Sequence, residues 1–436
     1  MNDAAAIAVR RLVALAAEQG AEHAHARVET VHSVATTLDH TGSLAECSGT
    51  STTHELDVVV DGKAGCVVVS APVRAEQVVQ LALHSAMSRR ASTPDRWTER
   101  AELAIQAGEH GALCSPERRS ALVRAAIGTP PDAAVLGAEH VEEHRAVAVA
   151  SIEGLDARWR QTRRSLWHWI DGPGGQHLEG SVAWGDRMPD PSMLRHAREE
   201  LLAARAPGAA AAAGRMPVLL APAVAIQVVN ALSGLLSGVT ATRRLVALQD
   251  KVGRRIASSA VTLVDDGCVG AGPFGAPIDD EGVPTRCNVL LEAGVLRAFL
   301  HTRESAAECG IEPNGCAVRP QHCDATRPGP RGLRLMAGVD SPDRLRDVLG
   351  DGFEAVAVAR PAQVTGLRAQ FSIDVFGWEI RDGRRTRTLG PVRLSCGLFA
   401  WLREVRACGE DLAHSALLTG LAAPSVLVGS IELGAA

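Results

Sequence analysis

Five groups of residues in this chain have types and spacings that could do chemistry. His140-Val141-Glu142-Glu143-His144 fits the inverted zinc pattern H-x-x-E-H. On a helix it would set two imidazoles on one face, with Glu143 placed to take a proton from metal-bound water. The run into Arg145-Ala146-Val147-Ala148-Val149 is strand-like instead. In a strand the two histidines would lie about 13 Å apart by the rise per residue, so a solvated hairpin is expected. Gly270-Ala271-Gly272-Pro273-Phe274-Gly275 matches G-x-G-x-x-G, but Pro277 and an acidic run follow where a dinucleotide site needs a helix. His301, Cys309, Cys316, His322 and Cys323 form a loose cluster whose spacings match no common zinc module. Arg158, Arg160, Arg163 and Arg164 alternate with Trp159, Trp167 and Trp169. A stacking platform for nucleic acid is one reading; a strand with one basic, solvated face and one packed, aromatic face is the simpler one. The acidic turn Asp279-Asp280-Glu281-Gly282 either binds a cation or a substrate amine, or caps backbone amides around Gly282. No Ser/His/Asp set sits on a strand–turn–helix elbow.

These residues need elements to hold them, and the hydrophobic pattern supplies an α+β set in two domains. Residues 1–205 are expected to form an N-terminal α/β-type domain. Its pattern predicts a helix over Ala4–Glu18, a strand over 25–38 and a hairpin turning on Asp61-Gly62. A helix follows over Arg74–Arg90, then one opened by Ser115-Pro116 and one by Asp190-Pro191, with arginine-rich strands between. Residues 206–215 (Ala-Pro-Gly, five alanines, Gly-Arg) read as a linker. Residues 216–436 are expected to form a mixed, largely antiparallel sheet domain. There a strand over Met216–Leu220 leads into an apolar helix over Ala223–Ser237, and a hairpin turns on Glu292-Ala293-Gly294. Further helices start at Thr302 and Ser341, and strands fall near 353–360, 371–381 and 425–431.

Composition narrows the function classes. The 436 residues are 46% hydrophobic and 22% charged with a net charge of −5. That balance argues against binding nucleic acid through phosphate neutralisation. The ten cysteines include no C-x-x-C pair and read as buried thiols of a reducing compartment. No signal peptide and no charge-free run of about 18 apolar residues is evident, so a cytoplasmic location without membrane contact is expected.

A series of motifs through the chain resembles the TldD/PmbA (modulator of DNA gyrase) family. They are Val60-Asp-Gly-Lys-Ala-Gly65, Val261-Thr-Leu-Val-Asp-Asp266, Ile278 through Thr285, Leu290-Leu-Glu-Ala-Gly-Val-Leu296, Gln370-Phe-Ser372, Gly377 through Gly383 and Pro424-Ser425. The resemblance implies a two-domain fold and a pair of unlike subunits. The TldD-type subunit carries H-E-x-x-G-H on the helix after the first strand of the second domain. The matching stretch here reads Asn230-Ala231-Leu232-Ser233-Gly234-Leu235. Asn230 and Leu235 stand where histidines would, and Ala231 where the glutamate would. TldD-type chains also draw a zinc ligand from a late Gly-x-Cys-Gly segment, whereas His414–Gly420 here holds no cysteine. The resemblance therefore implies the PmbA (TldE-like) branch, with no catalytic residue and no metal on this chain. Zinc is expected on a TldD-like partner in a heterodimer acting on small or unfolded peptides. Asp279, Asp280, Glu281 and Gly282 are candidates to line the chamber or touch substrate. A stand-alone binding or modulator protein is the alternative.

Overall fold

A computed structural model describes residues 2–70, 72–88, 104–107, 112–128, 135–171, 177–205, 213–242, 248–319, 326–365, 369–418 and 420–436. The N-terminal unit runs α1 (Asn2–Glu18), β1 (His23–Asp39), β2 (Leu44–Val60), β3 (Lys63–Val69), α2 (Ala75–Met87), β4 (Ala104–Ala107) and α3 (Pro116–Ile127). It continues through β5 (Val135–Ser151), β6 (Asp156–Ile170), β7 (His177–Trp184) and α4 (Pro191–Ala204). Its seven strands form one sheet ordered β3-β2-β1-β5-β6, with β4 and β7 both paired to β6. All pairs are antiparallel except β4–β6. The expected Asp61-Gly62 turn is there, with both residues at positive φ. Ser115 and Asp190 cap α3 and α4 with their side chains.

Because side chains alternate across a strand, the long strands present two different faces. The even-numbered face of β1 and β5 packs under α1 and α2 at one end, through Ala24, Ala26, Val28, Ala148 and Ala150. At the other end Leu38, Ala138 and Leu166 lie under α3 and α4. The odd-numbered face takes the C-terminal unit through Val147, Val149, Ala157 and Trp159, which pack on Ala276 and Ile278.

The C-terminal unit starts with β8 (Gly214–Leu220), so the last residues of the expected linker are already strand, and 206–212 lies outside the described residues. Then come α5 (Pro222–Leu235), α6 (Gly238–Thr242), β9 (Leu263–Asp266), β10 (Cys287–Glu292), β11 (Val295–Leu296), α7 (Arg303–Cys309), β12 (Ala317–Val318), β13 (Arg327–Pro328) and β14 (Leu333–Leu335). The chain closes through α8 (Pro342–Leu349), β15 (Gly352–Thr365), β16 (Gln370–Arg381), β17 (Arg384–Gly397), α9 (Leu398–Glu404), β18 (Val405–Cys408), β19 (Ala413–His414), β20 (Leu421–Ala423) and β21 (Val426–Ala435). One sheet is ordered β17-β16-β15-β8-β21-β18 and a second β11-β10-β9-β14-β20-β19. Helix α5 lies in the core with both, burying Val224, Ala225, Val228, Val229 and Leu232 beside Leu220, Phe371 and Leu421. The α+β class stands, and both units are predominantly antiparallel.

Candidate functional site

Helix α5 begins with Pro222 in its first turn, where a missing N–H costs nothing. Its apolar residues fall at helical spacing and bury one side. Ala223, Asn230 and Gly234 are exposed and Ala231 half-buried, which makes them the outward stripe. Leu235 stands at its border and packs partly on the core. So the positions matching the zinc pattern do sit together on the open side of the helix. The donors do not fit a metal: one carboxamide, one methyl, one isobutyl group and a glycine with open space where a Cβ would be. No reaction step through zinc can be built on them. Past the helix end, Gly238 lies so close to His301 that a Cβ there would be 2.4 Å from Nδ1. His301 is buried, its Nδ1 is 3.1 Å from Ser305 Oγ, and burial lowers its pKa.

The acidic turn is brought to the junction of the two units, and its carboxylates are engaged by the chain itself. Asp279 Oδ1 accepts from the N–H groups of Glu281 and Val283, both at 2.9 Å, and Oδ2 from Ala317 N–H at 2.9 Å. Burial, then the neighbouring Glu281 carboxylate, push Asp279 up to about 7 against those three donors. Asp280 accepts from Arg331 Nη2 and from Arg319 N–H, each at 2.8 Å. Arg27 of β1 approaches it at 3.6 Å. Burial alone would raise Asp280, but Arg331 and Arg27 outweigh it and hold it at about 2. Glu281 accepts from the first N–H of α7 (Arg303, 2.8 Å) and from Thr326 Oγ1 (2.5 Å). Gly282 has a positive φ, and a Cβ there would stand 2.9 Å from Leu155 of the N-terminal unit. Arg319 extends the seam, donating to Asp57 Oδ2 at 2.6 Å and Cys66 Sγ at 3.1 Å. Of the two readings of this turn, the geometry is that of amide capping and ion pairing across the junction. The basic residues that complete it, Arg27, Arg319 and Arg331, are not marked in the sequence as its partners, because they lie tens of residues away or, for Arg27, on a strand of the other unit. Their only signal was an excess of arginine.

The H-x-x-E-H stretch is strand, as expected, but it is not solvated. His140, Glu142 and His144 point to the even face beneath α3 and are all buried. Glu142 accepts from Cys114 N–H (2.9 Å), Arg164 Nε (2.8 Å) and His144 Nε2 (3.2 Å). Despite burial these partners keep it below the usual carboxylate range. Neither ring nitrogen of His140 has a hydrogen-bond partner among the described residues, and burial pulls its pKa down to about 4. The Arg/Trp alternation is inverted in part. Arg164 is buried, whereas Trp167 and Trp169 on the odd face are only half-buried. The Gly270–Gly275 run is a loop with no helix after it. Cys316 is buried against Asp265 (3.5 Å), and His322 and Cys323 lie outside the described residues. Among the described residues, no three His, Cys, Asp or Glu side chains converge as a metal site, and no helix is long and apolar enough to cross a membrane.

Known proteins place this architecture. Residues 213–435 match the PmbA/TldA metallopeptidase C-terminal domain. The chain is similar to a metalloprotease TldD homolog of Haemophilus influenzae, 31% identical over 31% of this chain and 28% of that one. It is also similar to a metalloprotease of Methanocaldococcus jannaschii, 34% identical over 42% and 40%. The matched segments thus span well under half of these relatives. In fold, TldE from Thermococcus kodakarensis superposes over 98% of this chain and 100% of its own with a TM-score of 0.80 at 16% identity. A Thermotoga maritima structure does so over 98% and 99% at 0.76 and 19%. With a family match over half its length and the same fold across nearly all of it, this chain belongs to the TldD/PmbA metallopeptidase family.

Proposed function

We propose that this chain is the zinc-less, TldE-like subunit of a two-subunit metallopeptidase acting on small or unfolded peptides. The observation that carries this reading is the outward stripe of α5. It holds Asn230, Ala231 and, at its border, Leu235, where a metallopeptidase needs two imidazoles and a carboxylate. An inactive subunit must still shape the reaction space, and this one does so with a rigid frame. The Asp279–Gly282 turn acts as the frame's hinge pin, setting the N-terminal sheet at a fixed attitude to α5, and its carboxylates serve the chamber by position and not by touching substrate. The zinc, the water it activates and the base belong to a TldD-like partner. The complex works in the cytoplasm, and peptide maturation or a biosynthetic pathway is the setting in which a diverged member of this kind fits.

Metal content and peptidase activity of this chain, purified alone and after co-expression with a TldD-like subunit, test the proposal. About one zinc per complex and activity only in the co-purified pair is the expected result. Stoichiometric zinc on this chain alone, or failure of the two chains to co-purify, would overturn it.

A further inference from the structure

Strand β2 has a neighbour on both sides for only part of its length. Strand β1 runs beside it from Val59, opposite His23, to Leu44, opposite Leu38, without a bulge. Strand β3 reaches only from Val60 to His54. Among the described residues, no strand pairs with the other edge of residues 44–52. Burial follows the pairing. Leu56, Val58 and Val59, where three strands lie side by side, are buried, whereas every residue from Leu44 to Ser51 is exposed. Because side chains alternate across a strand, this run is open on both faces as well as along its edge.

An open edge is a template for a further strand, and sheets blunt theirs with lysine, proline, a bulge or a covering element. This one carries none of them. Leu44-Ala-Glu-Cys-Ser-Gly-Thr-Ser-Thr52 contains no proline and no basic residue. Its one charge, Glu46, is drawn to Arg119 of α3 at 2.7 Å. The run spans about 30 Å of edge.

Two physical arguments select what pairs with it. From Ser48 to Thr52 the edge presents only hydroxyl side chains and a glycine, which form no pocket. A loose peptide depends on pockets for its alternate side chains and loses chain entropy when it is ordered. A strand already fixed in a folded subunit avoids that loss. The second argument is self-complementarity. An edge with no free cation or anion meets its own copy without repulsion, and antiparallel pairing about a two-fold axis sets N–H against C=O on both copies. Residues 44–52 in full overlap make about eight to ten main-chain hydrogen bonds, the number a standard interface carries.

We infer that residues 44–52 are a homodimer edge: two copies of this chain pair their β2 strands antiparallel and join their N-terminal sheets into one. Full overlap puts Ser48 opposite Ser48 of the second copy and Cys47 opposite Gly49. This goes beyond the subunit reading and does not rest on it, since it concerns the chain by itself.

The test is light scattering of the full chain, without partner or metal, over a dilution series from about 50 µM. The wild type should show twice the chain mass at the top of the series. Ser48→Lys and Ser48→Glu each set like charges opposite one another across the axis and should each raise the dissociation constant about fivefold. An equal mixture of the two variants should recover the dimer, because lysine then faces glutamate. Position 48 is exposed, so both variants should keep the wild-type urea midpoint. Cys47 is an exposed thiol beside the axis. A short bifunctional maleimide should therefore link two copies of the wild type and not of Cys47→Ser, a readout that needs no charged variant to fold. A monomer at about 50 µM would overturn the inference and leave the edge to an unlike chain. A dimer that neither charge weakens, no recovery on mixing, or cross-linking that survives Cys47→Ser would overturn it as well.

Discussion

Asp280→Asn is the substitution that probes the junction most directly. Asp280 offers one carboxylate oxygen to Arg331 and the other to the backbone of Arg319, with Arg27 of the N-terminal unit close by. An asparagine can serve only one of these donors with its oxygen. Its NH2 then faces the other, so a charge-assisted bond worth roughly 1.5–3 kcal/mol becomes a donor–donor contact. A second route gives a similar magnitude. A fall in pKa from 3.8 to about 2 on folding corresponds to roughly 2.5 kcal/mol at neutral pH. The sign follows from the direction. A carboxylate lowered in the folded state stabilises above its unfolded value near 4, and that contribution is lost as pH falls through about 2. Urea unfolding followed by tryptophan fluorescence should therefore show the variant about 2–4 kcal/mol less stable at pH 7. The gap should close progressively from about pH 4 to pH 2. A difference under about 0.5 kcal/mol at pH 7, or one that does not change with pH, would refute the view that this ion pair fixes the junction.

The buried His140 should yield a gain: with neither ring nitrogen partnered, His140→Leu is expected to raise stability by about 1 kcal/mol, read from the urea midpoint. Because His140 is lowered to about 4 from 6.5, the wild type loses stability as pH falls from about 6.5 towards 4, and the leucine variant should lack that component. A Cβ at Gly377 would stand 2.0 Å from Glu354 carbonyl oxygen inside the β15–β16 pair, so Gly377→Ala should lower stability by about 1–3 kcal/mol, seen as a lower thermal midpoint. Ser115→Ala removes the side-chain acceptor for Arg118 N–H at the start of α3 and should lower stability by about 1 kcal/mol.

Much of this protein was legible in its residues because local rules govern them. The Asp61-Gly62 turn, the Ser115, Thr302 and Ser341 caps and the Ala293-Gly294 turn all fall where short-range chemistry dictates. The same holds for α5: its apolar spacing set the buried side, and the identities of Asn230, Ala231 and Leu235 at the positions matching the zinc pattern are plain in the sequence. Strand β17 and the extent of β2 are not legible in the residues. The outer half of β2 is exposed and rich in Ser, Thr and Gly, so no apolar alternation marks it.

What the sequence determined alone was therefore the inventory: the α+β class, the family motifs, and a helix with an amide, a methyl and an isobutyl group at the positions matching the zinc pattern. Tertiary structure decided what each charged or aromatic group does, because that depends on neighbours distant in the chain. Asp280 is one carboxylate of an acidic turn in the sequence, and the fold brings Arg27 and Arg331 to it from two units. His140 is a solvated residue until α3 covers the even face. Trp167 and Trp169, which strand alternation assigns to a packed face, end only half-buried. Periodicity reports which side chains share a face; only packing decides whether that face meets protein or remains open.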